Sequence, residues 1–171
     1  MQRSLMRVGA TVAALLGTIA FAAPAQAQSP LPAQCLTNLV PCKVMSTRTA
    51  VLYDSGVTGA SRCRTVQVAR IGTAYAGMDV TVWAPVIEWC VDPATRLITR
   101  ALYDIRQWSD HGWQFDRVLQ SSSRYGIGYK KYVVVTEGRF RVCNAAACAT
   151  HTPQIQFVVA EDGTYRVNVD F

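Results

Sequence analysis

The sequence predicts an all-β protein, an antiparallel β-sandwich or barrel-like body fastened by three disulfides. Three observations point there. Short stretches of alternating apolar and polar residues recur at even spacing with turn residues between them. No stretch of about 11 residues carries a helical stripe. Six cysteines, an even number, lie downstream of an export-type N-terminus.

That N-terminus has Arg3 and Arg7 ahead of the uncharged apolar run Val8 to Ala23, followed by the small-x-small sequence Ala25-Gln26-Ala27. This is the layout of a secretory signal peptide, and the run is shorter than the roughly 20 residues a spanning helix needs. The expected organisation is a cleaved signal peptide over 1–27, a proline-rich stapled extension over 28–47, and one domain over 48–171. The expected location is outside the cell, with no insertion into the membrane after cleavage. Removing Arg3 and Arg7 from the 17 basic residues leaves 15 against 11 acidic ones. The charges are scattered rather than striped, so a nucleic-acid partner is not expected.

Beyond the extension, the predicted strands in order are Arg48 to Tyr53, Cys63 to Ala69, Asp79 to Trp83, Val86 to Val91, Leu97 to Trp108, Trp113 to Leu119, Lys131 to Cys143, Gln154 to Ala160 and Tyr165 to Phe171. Turn chemistry separates them at Asp54-Ser-Gly, Asp92-Pro, Asp110-His-Gly and Asp162-Gly. Pro85 is expected to break or edge the strands around it, because proline cannot donate to a ladder. Gly138 is expected to mark a bulge or bend. The last strand is the clearest, since Tyr165, Val167, Val169 and Phe171 alternate with Arg166, Asn168 and Asp170.

For the cysteines, close spacing favours the staples Cys35–Cys42 and Cys143–Cys148, leaving Cys63–Cys90 by elimination. No Cys-x-x-Cys pair or nearby histidine set suggests a metal, and nothing calls for a cofactor.

The stretch Gln107 to Phe115, QWSDHGWQF, holds the main candidate site. A four-residue hairpin loop at Ser109 to Gly112 would set Trp108 opposite Trp113, Arg106 opposite Phe115, Asp104 opposite Arg117 and Leu102 opposite Leu119, all on one side. Trp108 and Trp113 then form a platform on which a sugar ring stacks, with Arg106, Asp104 and Arg117 as polar contacts; the plainer alternative is that both indoles cover the core. Trp83 and Trp89 are expected in the core, Trp89 against the disulfide of Cys90. His111, beside Asp110, is a candidate general base for one of Ser121, Ser122 and Ser123, although no nucleophile elbow is present. Tyr125-Gly-Ile-Gly-Tyr129 is expected to be a flexible connection.

WCVDPATRLIT (Trp89 to Thr99), CNAAAC (Cys143 to Cys148) and PQIQFVVAEDGTYRV (Pro153 to Val167) resemble a set of small secreted β-rich actinobacterial proteins. The resemblance spans roughly the last half of the mature chain. It implies secretion and a β-rich fold, and no particular activity.

Together these features favour a monomeric, non-enzymatic protein that binds extracellular polysaccharide or cell wall. The alternatives are an inhibitor of secreted proteases, presenting Asn38 to Val40 or Asn144 to Ala147, and a small hydrolase using His111.

Overall fold

A computed structural model describes residues 43–60, 62–74, 77–144 and 147–170. Its strands are β1 (Ser46–Asp54), β2 (Cys63–Thr73), β3 (Asp79–Asp92), β4 (Leu97–Ser109), β5 (Gln114–Tyr125), β6 (Lys131–Cys143), β7 (Cys148–His151), β8 (Gln154–Ala160) and β9 (Tyr165–Val169). They form two antiparallel sheets, one in the order β1-β2-β3-β4, the other β5-β6-β8-β9 with β7 also on β6. The all-β expectation holds. The barrel-like alternative does not, because among the described residues no ladder joins the two sheets.

One apolar core lies between them. It takes Val66 and Val68 from β2, and Trp83, Ile87, Trp89 and Val91 from β3. From the other sheet come Val134 and Phe140 of β6 and Ile155, Phe157 and Val159 of β8, all buried. The spacing by two is the pleat itself: each strand sends alternate side chains inward. Tyr165, Val167 and Val169 of β9 pack against this core, as their alternation predicted. Trp83 and Trp89 are fully buried, as expected. Trp83 ties the sheets together: its Nε1 donates to Thr136 Oγ1 at 3.1 Å, and its ring stacks on Phe115 at 6.0 Å. A polar strap closes another edge, where Arg64 holds Asp54, donates to the Gly163 carbonyl at 2.8 Å and covers the Tyr165 ring at 4.8 Å.

Several expectations are corrected. Asp79 to Trp83 and Val86 to Val91 are one strand, and Pro85 is buried in its middle. The ladder with β4 runs through Pro85, opposite Ile105. On the β2 side the pairs that would oppose Ala84 and Pro85 are missing, which is where the absent N–H would have donated. The Gln67 side-chain amide donates to the Ala84 carbonyl there at 3.5 Å. Thus a proline is accommodated in a central strand by a local gap.

Gly138 does mark a bulge, standing opposite the register shift between Val118 and Gln120. The irregularities lie on the partner strand β5, between Phe115 and Arg117 and between Val118 and Gln120. The short strand β7 is additional to the predicted set.

Among the described residues there are two disulfides, Cys63–Cys90 and Cys143–Cys148, both as expected. The pair Cys35–Cys42 lies outside the described residues. Each observed bridge links directly opposed residues within one sheet. Trp89 therefore does not rest on the bridge of Cys90, since neighbours in a strand point to opposite faces. Disulfides of this kind are characteristic of proteins that fold in an oxidising compartment. Among the described residues no helix is long and apolar enough to cross a membrane.

Candidate functional site

The largest correction concerns the predicted hairpin. β4 pairs with β3 along its whole length, and β5 pairs with β6, so the two strands belong to different sheets. A tight turn does join them: His111 (φ 55°) and Gly112 (φ 81°) are left-handed, and Trp113 N donates to the Asp110 carbonyl at 3.1 Å. Past the turn the strands part. Trp113 enters the core, 3 % exposed, and Phe115 follows it to stack on Trp83 and meet Phe140 edge-on at 5.5 Å. The energies explain the choice. Burying a large aromatic contributes at least about 2 kcal/mol, whereas a cross-strand pair contributes about 0.2–1 kcal/mol.

The two-tryptophan platform is therefore not formed. Arg117 is exposed on β5, opposite Arg139, and not opposite Asp104. The acid on that strand that does find a partner is Asp116, in an ion pair with Arg139.

What remains together is the outer side of β4. Ala101, Tyr103 and Ile105 face the core, so Leu102, Asp104, Arg106 and Trp108 face away from it. In the ladder Trp108 stands opposite Val82, Arg106 opposite Ala84 and Asp104 opposite Val86. Val82 and Ala84 belong with Ala69 and Ile71 to a second, small apolar cluster apart from the main core. Trp108 is 49 % exposed beside it. Asp104 is locally anchored, its Oδ1 accepting from the Ile105 N–H at 2.8 Å.

The histidines are placed differently from each other. His111 occupies the turn, and the Asp110 carboxylate accepts from the His111 backbone N–H at 2.6 Å, so it serves the turn. Ser121 lies seven residues into β5, an extended span of roughly 23 Å from Gln114, and its Oγ bonds the Tyr103 hydroxyl at 3.0 Å. The structure does not bring His111 and the serines together.

His151 ends β7 with its Nδ1 2.7 Å from Thr81 Oγ1, over Gly72, where a Cβ would come within 2.4 Å of that oxygen. Thr81 is fully buried and so out of reach of any substrate as a nucleophile. Beside it is a cavity of about 460 Å³ lined by Thr47, Glu137, Thr150, Gln154 and Asp170, the last paired with Arg70. Sequence spacing could not assemble this group, which comes from strands far apart in the chain. Among the described residues no group of histidine, cysteine and carboxylates could hold a metal ion.

Burial depresses the His151 pKa from 6.5 to about 4, with Asp170 opposing and Arg70 adding to the effect. The unfolded chain then binds the extra proton between about pH 6.5 and 4, so stability is full above that window and falls as pH drops through it. The expected loss is about 2–3 kcal/mol. Asp54, held near 2 by its bond to Arg64, contributes a separate loss below about pH 4. Urea midpoints for wild type and His151→Gln between pH 7 and 4.5 check this: the variant should lose the slope, and an unchanged slope would assign it elsewhere.

Of the candidate inhibitor loops, Asn38 to Val40 lies outside the described residues. Asn144 and Ala147 bracket the other, with Ala147 N donating to Asn144 Oδ1 at 2.8 Å. No protein-family model, curated protein or solved structure matches the chain, so the case for its function rests on the chemistry of these surfaces.

Proposed function

We propose that the protein is an exported, disulfide-stapled β-sandwich that binds extracellular polysaccharide through the outer side of β4, without catalysing a reaction on it. The observation that carries this is Trp108, a half-exposed indole in line with Arg106 and Asp104 at every second residue of an edge strand. A pyranose ring has one face of C–H groups that can lie on an indole, while its hydroxyls need donors and acceptors nearby. Arg106 supplies donors and Asp104 acceptors. Trp108 to Asp104 spans about 13 Å along the strand, the length of a short oligosaccharide. Strand hydrogen bonds to β3 hold all three positions, so little ordering is left for binding to impose. The export-type leader sequence and the two bridges belong to the same picture of a protein working outside the cell.

Retention on insoluble glycans and cell walls tests the proposal. Trp108→Ala should weaken binding about 10-fold, or about 1.4 kcal/mol, and Arg106→Ala less. Because Trp108 is half exposed, its loss should move the urea midpoint by no more than about 0.5 kcal/mol of stability. Equal retention of wild type and Trp108→Ala would overturn the assignment.

A further inference from the structure

The other end of β4 carries an unrelated surface. The turn between β5 and β6, YGIGY, is pinned rather than flexible. Tyr129 N donates to the Gly126 carbonyl at 3.0 Å, placing Ile127 and Gly128 at the corners of a β-turn, and Gly126 N donates to Lys131 O at 3.0 Å. Gly128, at φ 82°, has the left-handed geometry that the second corner of a type II turn requires. The start of β4 then clamps the turn from the other sheet: Ile98 N donates to Tyr129 O, and Gly128 N to Ile98 O, both at 2.8 Å.

So held, the turn projects apolar groups outward. Ile127 is 67 % exposed, Tyr125 60 % and Tyr129 55 %, the two rings meeting edge-to-face at 5.6 Å. A shallow cavity of about 440 Å³ beside them is lined by Leu97, Lys130 and Lys131. Arg96 and Lys130 share Glu161, at 2.9 and 3.4 Å. Lys131 and the exposed Arg124 have no carboxylate within ion-pair distance among the described residues, so the cations around the turn outnumber the acid.

We infer that this turn docks on an anionic lipid surface. Ile127 enters the boundary of the acyl chains, the amphipathic tyrosines sit at headgroup level, and Arg124, Lys130 and Lys131 meet lipid phosphates. Each part of the surface is matched by one layer of the bilayer. An acidic glycan would answer the cations and leave Ile127 in water; an apolar protein groove would take Ile127 and leave the cations unanswered. One aliphatic side chain and a few cations give weak, reversible, salt-sensitive adsorption, with no spanning segment involved. This docking is independent of the polysaccharide proposal.

Sedimentation of the purified protein with vesicles decides it. Vesicles of phosphatidylcholine mixed with phosphatidylglycerol should bring the protein down at low salt and release it at high salt, and vesicles of phosphatidylcholine alone should not. Ile127→Ser should reduce binding about 10-fold or more, as should the double substitution Lys130→Gln, Lys131→Gln. Trp108→Ala should leave vesicle binding unchanged. Far-UV circular dichroism of each variant should match wild type, since every substituted side chain is exposed. Failure to sediment with the anionic vesicles overturns the inference. So does binding to a soluble polyuronate, sensitive to the lysine substitutions, in the absence of vesicle binding. Vesicle binding that both variants retain in full would assign it to another surface.

Discussion

Replacing Gly138 with alanine is expected to destabilise the protein by about 3–4 kcal/mol, at the upper end of overpacking effects. A Cβ at this position would lie 2.5 Å from Cε3 and Cζ3 of Trp83 and 3.0 Å from Cδ2. The indole cannot retreat, because it is fully buried, bonded through Nε1 to Thr136 and stacked on Phe115. Nor can β6 move away without disturbing its ladders to both β5 and β8. Gly138 is thus the place where the second sheet admits the Trp83 indole of the first. Urea denaturation measures the loss, and a double-mutant cycle tests its cause. In a Trp83→Phe background, whose smaller ring leaves room, Gly138→Ala should cost at least about 1 kcal/mol less. A Gly138→Ala protein within about 1 kcal/mol of wild type would mean that the sheets do not meet at this distance.

Removing the Cys63–Cys90 bridge by alanine substitution at both positions is expected to cost about 3–4 kcal/mol, against about 2 kcal/mol for Cys143–Cys148. The difference follows from the chain enclosed: the first pair lies 27 positions apart in sequence and the second 5. A longer loop has more conformations for the bridge to forbid in the unfolded chain. Both bridges join strands that are already hydrogen-bonded neighbours, so neither is needed to bring the sheets together. Near-UV circular dichroism of each double variant should therefore keep its native form while the urea midpoint falls. The reverse order of losses, with the short staple costing more, would show that native-state contacts of the bridges outweigh the chain-entropy effect.

Much of the local structure was legible. The sequence pattern of Lys131 to Cys143 and Gln154 to Ala160 predicts strands with the bounds the structure has, because alternation there is long and bounded by turn residues. The two observed bridges could be named from spacing, since five residues need only a turn to close, and the remaining pair followed. The candidate site was half legible. Asp104, Arg106 and Trp108 share a side by the two-residue period alone, and the structure keeps them together. Trp113 and Arg117 were joined to them only by assuming that a tight turn makes a hairpin. That assumption failed because the turn hydrogen bond between Asp110 and Trp113 is compatible with either outcome. The assembly at His151 was out of reach for a different reason: Thr81 and Arg70 belong to the other sheet, and Asp170 lies beyond β9, so only the packing of the whole chain brings them to it.

Strand content, the inward or outward sense of residues along each strand, and the sulfur pairing are local matters, carried by side-chain period and by distance along the chain. Which strand bonds which neighbour is another matter, because every residue except proline offers the same N–H and C=O to any partner. Large side chains make that choice by competing for one interior. Here Phe115 fits against Trp83 and Phe140 and Trp113 is buried in the same core, and this drew β5 into the second sheet, left Trp108 in the open, and gave the molecule its outward-facing surface on β4.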